Sequence, residues 1–395
     1  MAASADNASD VTLSPWRAAF DLAPGVLYLD TAAHAPMLRC VRDAGVAALQ
    51  QGNRPWTPDA QAWDARVERA RALAADWFDG DADGVAFVPS AAYGLSTAAR
   101  NLPLAAGDAV LVLDGQFPSN LLPWQQRCAE TCARIVVARR KPGQGWTDAV
   151  LETLDHVHVR IVALAQAHWH DGALLDLDAI ADRVHAQGAA LVLDLSQSLG
   201  ALPADIARWR PEFAVSVGYK WLLGPFGLAL LWAAPRWREH GSAIEQHWSA
   251  RDDDVWSLDP QASPGFGCGA RRFDGGGVLD PLRLSMFEAA QQQLRDWAAP
   301  IPAQLRARTE ALDAALHEVG LASWCTLDHA PHFAGLRPPP AEFAAVAAAL
   351  RAADIACTAR RGVLRIAPHL HVSPQDISRA VRVMAAAVAH SSART

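Results

Sequence analysis

Between residues 84 and 235 the chain repeats one arrangement, a short and almost wholly apolar run followed by a longer amphipathic stretch. The apolar runs are GVAFVPS, DAVLVLD, RIVVAR, RIVALAQ, AALVLDLS, FAVSVG and GLALLWA. Strands that are apolar at consecutive positions are covered on both faces, and the covering helices connect parallel neighbours. The pattern therefore predicts an α/β fold built on a mainly parallel, helix-flanked sheet. From Leu177 to Gln187, Ile180, Ala181 and Val184 fall on one helical face, and Gly188 ends that helix just before AALVLDLS.

Beyond about residue 236 the pattern changes. A Gly- and Pro-bearing stretch, PQASPGFGCGARRFDGGG, leads into long helices near 281–319. Short strands near 332–337 and 363–368 then alternate with helices near 341–353 and 374–390. At 395 residues the chain exceeds what one hydrophobic core usually serves. The expected organisation is an N-terminal arm over residues 1–26, a large domain over 27–255, and linker helices with a small C-terminal α/β domain over 256–395.

Charge and cysteine usage narrow the partners. Lys and Arg total 35 against 42 Asp and Glu, a net charge of -7 with no basic stripe, so neither nucleic acid nor an anionic membrane is an expected partner. The six cysteines are scattered without CxxC pairs, which argues against a disulfide framework or a structural zinc site. The opening MAASADNASD lacks the charge-then-apolar order of a signal peptide, and no run of about 18 apolar residues occurs. A cytoplasmic protein with a small-molecule substrate is expected.

Open α/β sheets bind ligands at the carboxyl ends of their strands, so polar residues closing the apolar runs come first. AALVLDLS ends in Asp194, with Gln197 three residues on; FAVSVG ends in Tyr219 and Lys220; GVAFVPS ends in Ser90 before a helical segment. Pyridoxal 5'-phosphate (PLP) needs an amine to form its Schiff base, a carboxylate against the pyridine nitrogen and a cradle for its phosphate. Lys220, Asp194 and the backbone N–H groups of Ser90, Ala91 and Ala92 offer one of each. Each also has an ordinary reading, as a helix cap, a turn former or a surface charge.

The stretches YLDTAAHAP, FVPSAAYG, GQFPSNLLPW, AHWHDG, LVLDLSQSLGALP, SVGYKWLLGPFG, RRFDGGG and LRIAPH occur in that order along nearly the whole chain. Together they resemble the class V aminotransferase-fold PLP enzymes, a group with cysteine desulfurases, selenocysteine lyases, kynureninases and isopenicillin N epimerase-like proteins. The resemblance implies fold type I, a homodimer, and Lys220 as the Schiff-base (aldimine) lysine. It also implies Asp194 against the pyridine nitrogen, Gln197 near the phenolic oxygen and Phe117 stacked on the cofactor ring, where desulfurases carry His. Trp169 and His170 match a cofactor-side loop, with His168 beside them. Tyr219 compensates at the phosphate, His34 approaches the substrate, and Arg365 grips the substrate carboxylate, with Arg360 and Arg361 as competitors. Ala92 and Gly277, the latter beside Gly276, stand where many relatives place a Thr on the phosphate, the second reaching across a dimer interface.

Other departures bear on the reaction. Cys357 lies eight residues before Arg365, with no room for the loop that carries a desulfurase nucleophile, so persulfide chemistry is not expected. The pairs His168/His170 and His369/His371 lack a third ligand at suitable spacing, so no metal is expected from them. Transamination, which needs no further nucleophile, is the nominal reaction. A C–S or selenocysteine lyase stands second and a kynureninase-like hydrolase third, with epimerisation and a non-catalytic PLP-fold protein as alternatives.

Overall fold

A computed structural model of the chain describes residues 14–54, 56, 60–256, 259–297 and 301–392. The first thirteen residues of the expected arm lie outside these. The twelve strands among the described residues are β1 (Leu27–Tyr28), β2 (Val85–Val88), β3 (Ala109–Leu113), β4 (Arg134–Ala138), β5 (Ile161–Ala165), β6 (Ala190–Asp194), β7 (Phe213–Val217), β8 (Ala229–Ala233), β9 (Ala334–Leu336), β10 (Ile355–Ala356), β11 (Thr358–Arg360) and β12 (Val363–Ile366).

All seven apolar runs enter one sheet, in the order β2-β8-β7-β6-β5-β3-β4. Pairings among β7, β6, β5, β3 and β4 are parallel, and β8 runs antiparallel to both its neighbours. Alternation along each strand sends Leu111 and Leu113 of β3 into one core and Val110 and Val112 into another on the opposite face. The helix Ala91–Asn101 lies flush on β7 because Gly94 has no side chain: a Cβ there would come within 2.9 Å of Val215 Cγ2. That contact fixes where the helix begins, and so where its first-turn amides lie.

The C-terminal part packs helices Ile301–Glu318, Pro340–Ala352 and Pro374–Ser392 around an antiparallel sheet of order β11-β12-β9. Its core takes Leu27 and Leu29 from the other end of the sequence, because β1 pairs in parallel with β10. Two-residue strands carry no period, so the sequence does not announce this pairing.

Beneath the sheet ends lie three fully buried histidines, His332, His369 and His371. His332 Nε2 donates to the Gln197 carbonyl at 2.6 Å and His371 Nε2 to the Tyr28 carbonyl at 2.8 Å. Trp221 stands edge-on to His332 and donates to Gln197 Oε1 at 3.2 Å. Burial pulls His332 and His371 down to about 3 and His369 well below its ordinary value. The unfolded chain therefore binds more protons between about pH 6.5 and 3, and stability present above that window is lost as pH falls through it. Each displaced histidine contributes about 1.4 kcal/mol per pH unit to the slope. Urea unfolding at pH 7, 6 and 5 should show falling stability, with a shallower slope in His371→Phe; equal slopes would remove His371 from this account.

Candidate active site

Five strand ends converge on one cavity. β2 leads to Pro89 and Ser90, β3 to Gln116 and Phe117, β5 to Ala165 through Trp169, β6 to Asp194, Ser196 and Gln197, and β7 to Tyr219 and Lys220. The parallel registers place Ala165 opposite Asp194 and Asp194 opposite Val215, so β5 and β6 end level and β7 runs two residues further.

Lys220 is buried on the cavity floor. Burial pulls its ammonium down to about 8, more than Asp194 and Asp30 raise it, and Arg365 lowers it further. Burial also pushes the Asp194 carboxyl up, while Ser196 and Lys220 pull it back. The Ser196 amide donates to Asp194 Oδ1 at 3.0 Å. A carboxylate so deeply placed is stabilised by a cationic or strongly donating partner, which a protonated pyridine nitrogen provides. Lys220 Nζ stands 5.6 Å from the centre of the Phe117 ring, and Trp169 meets that ring edge-on at 5.3 Å. The Trp169 indole is tied by a 2.8 Å bond to the Gly115 carbonyl, in a turn where Gly115 takes φ 67°.

Ser90 caps the helix Ala91–Asn101, its hydroxyl accepting from the Tyr93 amide at 3.1 Å. The first-turn amides of Ala91 and Ala92 have no acceptor within the helix and border the cavity, which suits a phosphate dianion. Gln197 is partly committed, its Nε2 donating to the Ala32 carbonyl at 2.9 Å, and keeps one further N–H. Amine, buried carboxylate, flat apolar ring and anion cradle together fit PLP, so the donor set passes on chemistry as well as position.

The expected substrate residues do not line this cavity themselves but contact residues that do. His34 lies 5.2 Å from the Tyr219 ring and stacks on Phe226 at 6.2 Å, its backbone held by the Tyr28 hydroxyl. His170 lies 5.2 Å from Trp169. Desolvation lowers both imidazoles from their ordinary value, which favours the neutral form. Arg365 is buried and already engaged: it donates to the Trp169 carbonyl at 2.8 Å, to Asp30 at 2.9 Å and to Thr358 Oγ1 at 3.3 Å. Its competitors Arg360 and Arg361 are exposed. Gly276 and Gly277 do not line this cavity. The Gly276 amide bonds to Glu245, and Gly277 borders a second cleft with Arg71, Trp248 and Arg271.

Sequence reasoning missed Asp171, which is fully buried and accepts from His168 Nδ1 at 2.9 Å, the Ala173 amide at 3.2 Å, Arg337 at 3.0 Å and Arg140. Burial alone would raise this carboxyl, yet His168, Arg140 and the Ala173 amide hold it far below the usual range. In sequence Asp171-Gly172 reads only as a turn. Phe226 was missed as well, although it lies six residues after Lys220 within the GPFG that carries the resemblance.

A family model described as aminotransferase class V matches residues 27–245. The chain is 31% identical over 288 residues to a kynureninase of Deinococcus radiodurans, covering 69% of this chain and 67% of that protein. It is 28% identical over 251 residues to a cysteine desulfurase of Klebsiella pneumoniae, covering 59% and 61%; the chain thus spans about three fifths of that relative's length. In shape it matches a mutant of the protein C-DES with glycine covalently linked to its PLP cofactor, at a TM-score of 0.81 and 19% identity over 92% of this chain and 97% of that one.

The lowered Lys220 value is directly measurable. The neutral amine accumulates as pH rises through about 8, so the rate at which cofactor-free protein takes up PLP should climb with a midpoint there. Lys220→Ala should form no lysine-linked chromophore. A midpoint at the ordinary lysine value, or an identical spectrum in the variant, would overturn the assignment.

Proposed function

The chain belongs to the class V aminotransferase family, and from that premise we propose that it is a PLP-dependent enzyme that hydrolytically cleaves the side chain of an aryl-bearing amino acid, as a kynureninase-like hydrolase. One observation carries this reading: the cavity that holds Lys220 is bordered by four aromatic rings, Phe117, Trp169, Tyr219 and Phe226. His170 packs on Trp169, and His34 on Tyr219 and Phe226. An aromatic side chain packs among such rings better than a thiol or an acidic chain does. Sulfur transfer is disfavoured on this reading. Cys357 sits between β10 and β11, largely buried, and burial together with Asp30 pushes its thiol up to about 12.

Linked through Lys220, PLP supplies the electron sink that labilises bonds at the Cα and Cβ of a bound amino acid. The chain's own residues do the rest. Asp194 holds a proton on the pyridine nitrogen. Lys220, released as an amine with a depressed pKa, accepts the Cα proton and returns it. Arg365 orients the α-carboxylate by exchanging its Asp30 contact for the substrate. His34 and His170, packed on rings that border the cavity, are placed to take a proton from water as it adds to the side-chain carbonyl. The Cβ–Cγ bond then breaks, the acyl carbon leaves as a carboxylic acid, and Cβ takes up a proton to give alanine. Phe117 keeps the cofactor face apolar and has no proton to move. The reading retains a homodimer, with Gly276 and Gly277 facing a second copy.

Incubation of the holoenzyme with kynurenine and with a panel of ordinary amino acids tests the reading. Alanine and an aromatic acid are expected. Accumulation of a keto acid without side-chain loss would assign transamination instead, and released sulfide from cysteine would assign a lyase. Trp169→Ala should raise KM for an aryl substrate about tenfold and leave lysine-linked PLP absorbance intact. Arg365→Lys should raise KM with a smaller effect on kcat, since a point charge loses the bidentate fork.

A further inference from the structure

Away from the cavity, three side chains from separate stretches of the C-terminal unit converge. Asp313 projects from the helix Ile301–Glu318, Cys325 follows the short turn Ala322–Trp324, and His329 lies in the loop before β9. Cys325 Sγ is 3.6 Å from Asp313 Oδ1, and His329 Nε2 is 3.2 Å from each carboxylate oxygen. The three donor atoms all lie within 4.8 Å of one another. Tetrahedral zinc, with bonds of about 2.3 Å to sulfur and about 2.0 Å to nitrogen and oxygen, separates such ligands by about 3.3 to 3.6 Å.

The hydrogen bonding around His329 supplies an independent indication. Its Nδ1 donates to the Ala330 carbonyl at 2.9 Å, so in the neutral ring Nε2 carries a lone pair and points it at a carboxylate. Two acceptors face each other there, and only a cation between them, a proton or a metal, makes the arrangement favourable. Hydrogen-bonding one ring nitrogen to a carbonyl so that the other binds metal is the usual way a ligating imidazole is oriented.

We propose that Asp313, Cys325 and His329 form a binding site for a divalent transition metal of borderline softness, with zinc as the best match to a carboxylate, thiolate and imidazole set. The half-exposed Asp313 leaves a fourth position open to water. Binding replaces the Cys325 thiol proton and any proton on His329 Nε2, both of which leave to solvent, so affinity rises with pH. The site bears on the cavity through the backbone. His329 bridges to Ala173, the Ala330 amide donates to the Gly172 carbonyl at 2.7 Å, and the Leu174 amide donates to the Asp328 carbonyl at 2.8 Å. A bound metal thus clamps the segment that follows Trp169 and His170.

The test uses PLP-loaded protein given zinc and then dialysed, with metal per chain read by elemental analysis. Cobalt substitution reports a thiolate-containing tetrahedral site by absorption in the red, clear of the cofactor. One zinc per chain is expected, with affinity about tenfold weaker or worse in Asp313→Asn, Cys325→Ser and His329→Ala. Zinc should raise the melting temperature of the unsubstituted protein and not that of the variants. Unchanged cofactor absorbance in each variant distinguishes ligand loss from unfolding. Failure to retain zinc, or retention that persists equally in all three variants, would overturn the proposal.

Discussion

The structure turns on holding an amine and a carboxylate together on the buried floor of one cavity. Lys220 and Asp194 are both buried, and each loses solvation that its charged form needs. The parallel ladder sets their positions: Asp194 closes β6, and Lys220 follows the end of the neighbouring β7 by three residues, so adjacent strand ends deliver both groups to one floor. The same burial that penalises the lysine's charge leaves it a usable amine near neutral pH. The rest of the site answers to this floor. The Gly94 seat on Val215 sets the helix start that offers amides to an anion, and the histidine layer around His332 fixes Gln197 from below.

Much of this was legible in the sequence because the signals were local. Seven continuous apolar runs marked seven strands of one sheet, and polar residues closing them marked Ser90, Asp194, Tyr219 and Lys220. What stayed hidden depended on contacts between distant residues. Asp171 is a turn former until folding surrounds it with Arg140, His168 and Arg337. The β1–β10 pairing joins residues 27–28 to 355–356 through strands too short to show a period. The Asp313, Cys325 and His329 cluster has no motif spacing, so cysteine counting, which argued against structural zinc, had no means to register it.

The aromatic surroundings of Lys220 are what the proposed reaction rests on. A residue-by-residue reading weighs nucleophiles, and finding none it prefers transamination. The fold adds surroundings: Phe117, Trp169, Tyr219 and Phe226 border the cavity, with His170 packed on Trp169 and His34 on Phe226. On the proposed reading these rings would receive the substrate's aryl group, and the imidazoles beside them would move the protons that hydrolysis requires beyond what Lys220 does.

Arg365 ties this cavity to the C-terminal unit. It stands on β12, yet its hydrogen bonds run to Asp30 near β1 and to the Trp169 backbone. An arginine held by three acceptors is already oriented, so in the proposed role a substrate carboxylate would exchange with Asp30 instead of ordering a long side chain, and less conformational entropy would be lost on binding. The exchange has a cost, since Asp30 must find other donors. Thr358 Oγ1, which already donates to Asp30 Oδ2 at 2.7 Å, is placed to keep it satisfied. In that proposed role the pairing would serve the fold when the site is empty and the substrate when it is filled. Arg365 sits on the central strand of the small sheet, between β11 and β9, whereas Arg360 ends the edge strand β11 and Arg361 lies in the turn after it, both exposed.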